Sequence, residues 1–82
     1  MSKREVVIRY IVDRSNVNII NAMFESYEGV AIVRVMDSKE GILEVYTSSD
    51  FEDFVDLIVK SLREEYSIRM KEIERIYYDT DV

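Results

Sequence analysis

The 82-residue chain has no cysteine, no histidine, no proline and no tryptophan, and only two glycines. Without cysteine there is no disulfide framework, thiol nucleophile or thiolate metal site. Without histidine the usual general base at neutral pH, and the commonest metal ligand, is missing. These two absences remove most nucleophilic, redox and zinc chemistry, and neither a metal nor a cofactor is expected. Long apolar runs are lacking too. The longest are far too short to span a bilayer, and Met1-Ser2-Lys3-Arg4-Glu5 meets charge before any apolar segment, so it offers no secretory signal. A cytoplasmic protein with no membrane partner is expected.

What is present is a composition that folds. Hydrophobic residues make up 48% of the chain and charged residues 34%, too apolar for a disordered segment and charged enough for a solvated surface. The length bounds the chain to one domain over residues 1–82 that buries roughly 60–65% of its unfolded surface. The net charge of -6 opposes a phosphate-binding surface, and nucleic acid is not expected as a partner.

Residues 5–12 alternate, with Val6, Ile8, Tyr10 and Val12 on one side and Glu5, Val7, Arg9 and Ile11 on the other, which predicts a strand. The period then changes. Val17, Ile20, Met23, Phe24 and Tyr27 fall at helical spacing behind a cap at Asp13 or Ser15, and Gly29 is the stop signal, so a helix is expected over about 15–27. Val30 to Met36 and Ile42 to Thr47 flank Asp37-Ser38-Lys39-Glu40-Gly41 and read as a hairpin. Pairing Val33 with Val45 and Val35 with Leu43 makes one face apolar, and puts Ile32 opposite Tyr46 and Arg34 opposite Glu44 as a charge pair on the other.

Ser49-Asp50-Phe51-Glu52 has the form of a capping box, opening a helix whose buried stripe is Phe54, Val55, Ile58 and Leu62. Asp53, Asp56, Lys60, Arg63 and Glu64 are left to water. The end of the chain carries two periods at once. Tyr66, Met70, Ile73 and Tyr77 continue a helical stripe, whereas Ile68, Met70, Ile73 and Ile76 fit a strand with a bulge. A strand within 67–77 is favoured, because otherwise the first strand has an unpaired edge. The order strand, helix, hairpin, helix, strand then predicts an α+β, ferredoxin-like βαββαβ sandwich. Its four-stranded antiparallel sheet has the first and third strands central and both helices on one face.

No group of residues forms a catalytic set. Ser15, Ser48 and Ser49 sit at predicted caps, and the acids Asp50, Glu52, Asp53 and Asp56 belong to a helix start and its solvated side rather than to a cation loop. Enzymes on this fold that use an Arg after the first strand would find Arg14 there but no Asn on the third strand to position a water. RNA-binding sheets of this strand order stack bases on central-strand aromatics, and only Tyr46 qualifies. The outward positions do form an apolar patch of Val7, Ile11, Ile32, Ile42 and Tyr46 around Arg9, Arg34 and Glu44. Such a patch calls for a second subunit.

The first strand running into Asp13-Arg14-Ser15-Asn16-Val17 resembles the opening of ACT domains, where an Asp-Arg pair is followed by a small residue, a Gly and an apolar residue. Tyr27-Glu28-Gly29-Val30, the Lys-Glu-Gly hairpin and the acidic helix start resemble, over nearly the whole chain, a family of short stand-alone bacterial proteins grouped with ACT-like folds. The resemblance implies a small regulatory module that pairs through its sheet and binds an effector such as an amino acid near that loop. The contacts it transfers are Asp13, Arg14, Asn16 and Asn18. Asn16 stands where the pattern has Gly, and Asn tolerates left-handed geometry better than most residues. The expected function is therefore a non-enzymatic, ACT-like small-ligand-binding or regulatory module acting as a homodimer or larger homo-oligomer. The alternative is a structural protein–protein interaction module that uses the open sheet face.

Overall fold

The computed structural model of the chain describes residues 4–79. The alternation of its first segment produces strand β1 (Arg4–Val12), in which Val6, Ile8, Tyr10 and Val12 are all buried on one side. A 3₁₀ turn at Arg14–Asn16 leads into helix α1 (Val17–Glu25), whose Ile20 and Phe24, one turn apart, point into the core. The hairpin strands β2 (Ile32–Asp37) and β3 (Ile42–Ser48) follow, then helix α2 (Glu52–Glu65) and strand β4 (Met70–Asp79). The sheet order is β2-β3-β1-β4, antiparallel throughout, so β1 and β3 are central as the element order requires. One apolar cluster between sheet and helices joins β1, β3 and α1 to Val55, Ile58, Val59 and Leu62 of α2. This is the ferredoxin-like α+β sandwich.

The hairpin has the expected register in full: Ile32 faces Tyr46, Val33 faces Val45, Arg34 faces Glu44 and Val35 faces Leu43. Its turn ends at Gly41, with φ +71°, where a Cβ would lie 1.9 Å from the Val12 carbonyl oxygen. The Gly41 carbonyl accepts the Val12 N–H at 2.8 Å, so this backbone contact holds the hairpin to the end of β1 and requires glycine.

The ambiguous segment is a strand. Helix α2 stops where Ser67 takes φ 54°, and the Ile68 N–H reaches back to the Leu62 carbonyl at 3.0 Å. The turn buries Ile68 and Met70, and β4 pairs along the whole of β1. Arg9 faces Glu74 while Tyr10 faces Glu72, so Ile73 is the extra residue of a bulge.

Four local expectations need correction. Neither Asp13 nor Ser15 caps α1: its N-cap is Asn16, with no side-chain capping bond, and the 3₁₀ turn supplies the entry. Asn16 itself has φ -102°, so the position makes no use of left-handed geometry. The capping box does not form, because the Ser49 hydroxyl accepts the Arg4 N–H at 3.3 Å and Glu52 turns toward β4; α2 starts after Phe51. Phe54 is not in the buried stripe. It stands half exposed, edge-on to Tyr27 with ring centroids 5.1 Å apart, and Val59 takes the inward place.

Candidate functional site

Charge is organised around two centres. On the helix side of the sheet, Arg75 of β4 lies opposite Ile8. Its guanidinium donates to Glu52 at 2.7 Å, to Asp56 at 2.8 Å and to Glu72 at 2.7 Å, while the Tyr77 hydroxyl donates to Glu52 at 2.5 Å. The hydrogen bond to Asp56 leads the factors that raise the Arg75 pKa. These carboxylates converge on a guanidinium, and among the described residues no group of three or more His, Cys, Asp or Glu side chains is placed to hold a metal ion.

On the opposite side the centre is Glu44, the one charged residue buried among the described residues, at 7% exposure. Arg9 donates to its Oε2 through Nε at 3.1 Å and Nη2 at 2.6 Å, and the Tyr46 hydroxyl donates to Oε1 at 2.5 Å. The Tyr46 hydrogen bond, then that of Arg9, holds the Glu44 carboxyl below its ordinary range, and the same bond raises the Tyr46 phenol. Arg34 faces Glu44 in register but makes no ion pair with it; its guanidinium lies over the Tyr46 ring, 5.9 Å from the centroid. The charge pair expected between Arg34 and Glu44 is thus formed by Arg9 instead. Neighbouring outward positions from the expected patch are apolar and open, Ile32 at 68% exposure and Ile11 at 38%, with Val7 and Ile42 partly covered. Strand β4 extends the patch, placing Ile76 opposite Val7 and Tyr78 opposite Glu5.

A separate, open depression of about 610 Å³ lies at the end of the sheet where β1 stops and β4 begins. Ile11, Val12, Ile68 and Met70 give it an apolar floor. Its rim holds Asp13 and Glu40 together with Arg63, Arg69 and Lys71. Arg63 is fixed, donating through Nε and Nη2 to the Met70 carbonyl at 2.9 and 2.6 Å. Of the four loop residues suggested as ligand contacts, Asp13 lines this depression. Arg14 and Asn16 form the 3₁₀ turn beside it, and Asn18 is exposed on α1. Arg69 and Lys71 are the rim residues that sequence patterning did not identify, because they flank the start of β4, which could be placed only once the end of α2 was known.

The family model described as a domain of unknown function, DUF4911, matches residues 10–65. The chain belongs to this family. The DUF4911 span runs from the end of β1 through α2, so it contains Asp13, Glu40, Glu44 and Arg63, while Arg69, Lys71 and Arg75 lie beyond it. Searches of curated proteins and of solved structures returned no match. No helix among the described residues is long and apolar enough to cross a membrane.

Proposed function

We propose that this DUF4911 protein is a non-enzymatic, ACT-like small-ligand-binding or regulatory module of the cytoplasm that acts as a homo-oligomer, with a second copy covering its outer sheet face. The observation that carries this reading is the burial and prior pairing of Glu44 on the face away from the helices. Covering an unpaired carboxylate costs several kcal/mol, whereas one already holding a guanidinium and a phenol tolerates burial far better. Around it, exposed aliphatic residues surround a polar centre whose hydrogen bonds are already made, so a partner can cover the face without stranding a charge.

The charge balance of the face favours a second copy over an unlike partner. By register the outer positions carry Glu5, Glu44 and Glu74 against Arg9, Arg34 and Lys71, and the Asp37 carboxylate is turned into its own hairpin, accepting the Lys39 and Glu40 N–H groups. Two chains of net charge -6 repel over most of their surfaces, but not across a face whose charges balance. Sedimentation equilibrium at tens of micromolar tests this. The wild type is expected to be a dimer or larger, and Ile32→Glu to be monomeric with unchanged circular dichroism. A monomeric wild type at that concentration defeats the reading.

A further inference from the structure

The depression at the end of the sheet brings together four charges that the fold leaves unused. Among the described residues Asp13, Glu40, Arg69 and Lys71 make no side-chain hydrogen bond or ion pair, although all four line one concavity. Elsewhere Arg9, Glu44 and Arg75 are fully engaged.

The signs are also separated in space by the topology. Val12 pairs with Met70 on one side and donates to Gly41 on the other, so Asp13 and Glu40 stand at the β1 and hairpin side, while Arg69 and Lys71 flank Met70 on β4. The acidic and basic poles are therefore one to two strand spacings apart, roughly 5–10 Å. Between them the floor is apolar, with Val12, Ile68 and Met70 each at or below 6% exposure and Ile11 partly open. The Arg63 clamp on the Met70 carbonyl holds the basic side at its place beside the helix end.

We propose that this depression binds a small zwitterion whose ammonium and carboxylate are separated by an aliphatic segment, an ω-amino acid rather than an α-amino acid. The inference rests on reading the chain as a binding module. It gives that module a ligand class and moves its contacts from the β1–α1 loop to the end of the sheet. The carboxylate meets Arg69 and Lys71, the ammonium meets Asp13 and Glu40, and the methylene segment covers Ile11 and Met70. A simple carboxylate is repelled by Asp13 and Glu40, and a simple amine by Arg69 and Lys71. An α-amino acid carries both charges on one carbon and has no methylene segment between them to lie over Ile11 and Met70. Because the rim charges are solvated, each contact contributes modestly, and Kd is expected on the order of 0.1–1 mM.

The test is a heteronuclear NMR titration of the full chain at neutral pH with ε-aminocaproate, caproate, n-hexylamine and leucine. Saturable shifts are expected with ε-aminocaproate alone, centred on residues 11–13, 40 and 69–71. Asp13→Asn and Arg69→Gln are each expected to weaken binding about tenfold, and Lys60→Gln, at a cation of α2 that does not line the depression, to leave it unchanged. The same spectra show whether each of the three variants keeps the wild-type fold. No saturable shift, or equal binding of caproate or leucine, overturns the proposal. Sedimentation of the same samples separates the two readings: an oligomer that does not bind defeats the ligand assignment alone, and a monomer that binds defeats the self-association alone.

Discussion

On the helix side of the sheet a cation, Arg75, is enclosed by carboxylates of α2 and of its own strand, whereas on the outer side a carboxylate, Glu44, is enclosed by a guanidinium and a phenol from the two central strands. The first arrangement ties a strand to a helix, elements that share no sheet pairing: β4 is an edge strand, and Arg75 fastens it to the helix above. The second ties β1 to β3, which seven paired residue positions already join. Its mechanical contribution is small. Its effect is to keep a charge satisfied on a face rich in exposed aliphatics. A similar set of groups thus positions an edge strand on one side of the sheet and keeps a single carboxylate hydrogen-bonded on the other.

The largest expected effect follows on the helix side. Arg75→Ala leaves Glu52, Asp56 and Glu72 facing one another without a counter-charge, and is expected to destabilise the fold by about 2–3 kcal/mol, partly recovered by salt. Arg75→Lys should recover only part of this, since an ammonium cannot serve three carboxylates with the planar fork. Urea unfolding at low and high ionic strength measures both. A loss below half a kcal/mol for Arg75→Ala would mean that the cluster holds nothing in place, and the contrast between the two centres would fail.

Glu44→Gln probes the outer centre, with an expected loss of about 1–2 kcal/mol at neutral pH, because charge-assisted bonds from Arg9 and Tyr46 become neutral ones. The pH dependence is specific. The folded-state pKa of Glu44 is held below its ordinary value of 4.5, first by Tyr46 and then by Arg9. A depressed carboxyl stabilises the fold fully above its unfolded pKa and progressively less as pH falls through the folded one. The difference between wild type and Glu44→Gln should therefore be constant from neutrality down to the ordinary carboxylate range and close only below it. A difference that instead grows on acidification would show that the carboxylate is strained in this site rather than stabilised.

How far these centres were legible in the sequence follows from the range of their contacts. The inner face of β1 and the hairpin register were readable because a period of two with apolar residues on one side permits a single alignment. Glu44 lies opposite Arg34 as the pattern requires, yet its ion pair goes to Arg9 on the other neighbouring strand, a choice between two cations in register with it that pattern alone does not decide. The capping box failed for a similar reason: the Ser49 hydroxyl and the Glu52 carboxylate were taken by Arg4, Arg75 and Tyr77, residues remote in sequence. Arg69, Lys71 and Arg75 were out of reach because the end of α2 is set by a serine in the left-handed region, a position that sequence signals assign to Gly or Asn.

The last test inverts the contrast. Tyr10 lies on the helix side of β1 at 1% exposure, and its hydroxyl has no hydrogen-bond partner among the described residues. Burial, the largest influence on it, pushes this phenol well above its ordinary pKa, so it stays neutral at any physiological pH. Where Glu44 is a charged group fully satisfied on the open side, Tyr10 is a neutral polar group unsatisfied on the closed side. A buried hydroxyl without a partner keeps its desolvation cost and gains nothing in return. Tyr10→Phe removes that cost while keeping the ring that fills the core. The substitution is expected to stabilise the fold by about 1 kcal/mol, raising Tm by roughly 4–8 °C for a domain of this length. Calorimetry showing a lower Tm instead would mean that the hydroxyl finds a partner in solution, and that polar groups on both sides of the sheet are satisfied before any partner binds.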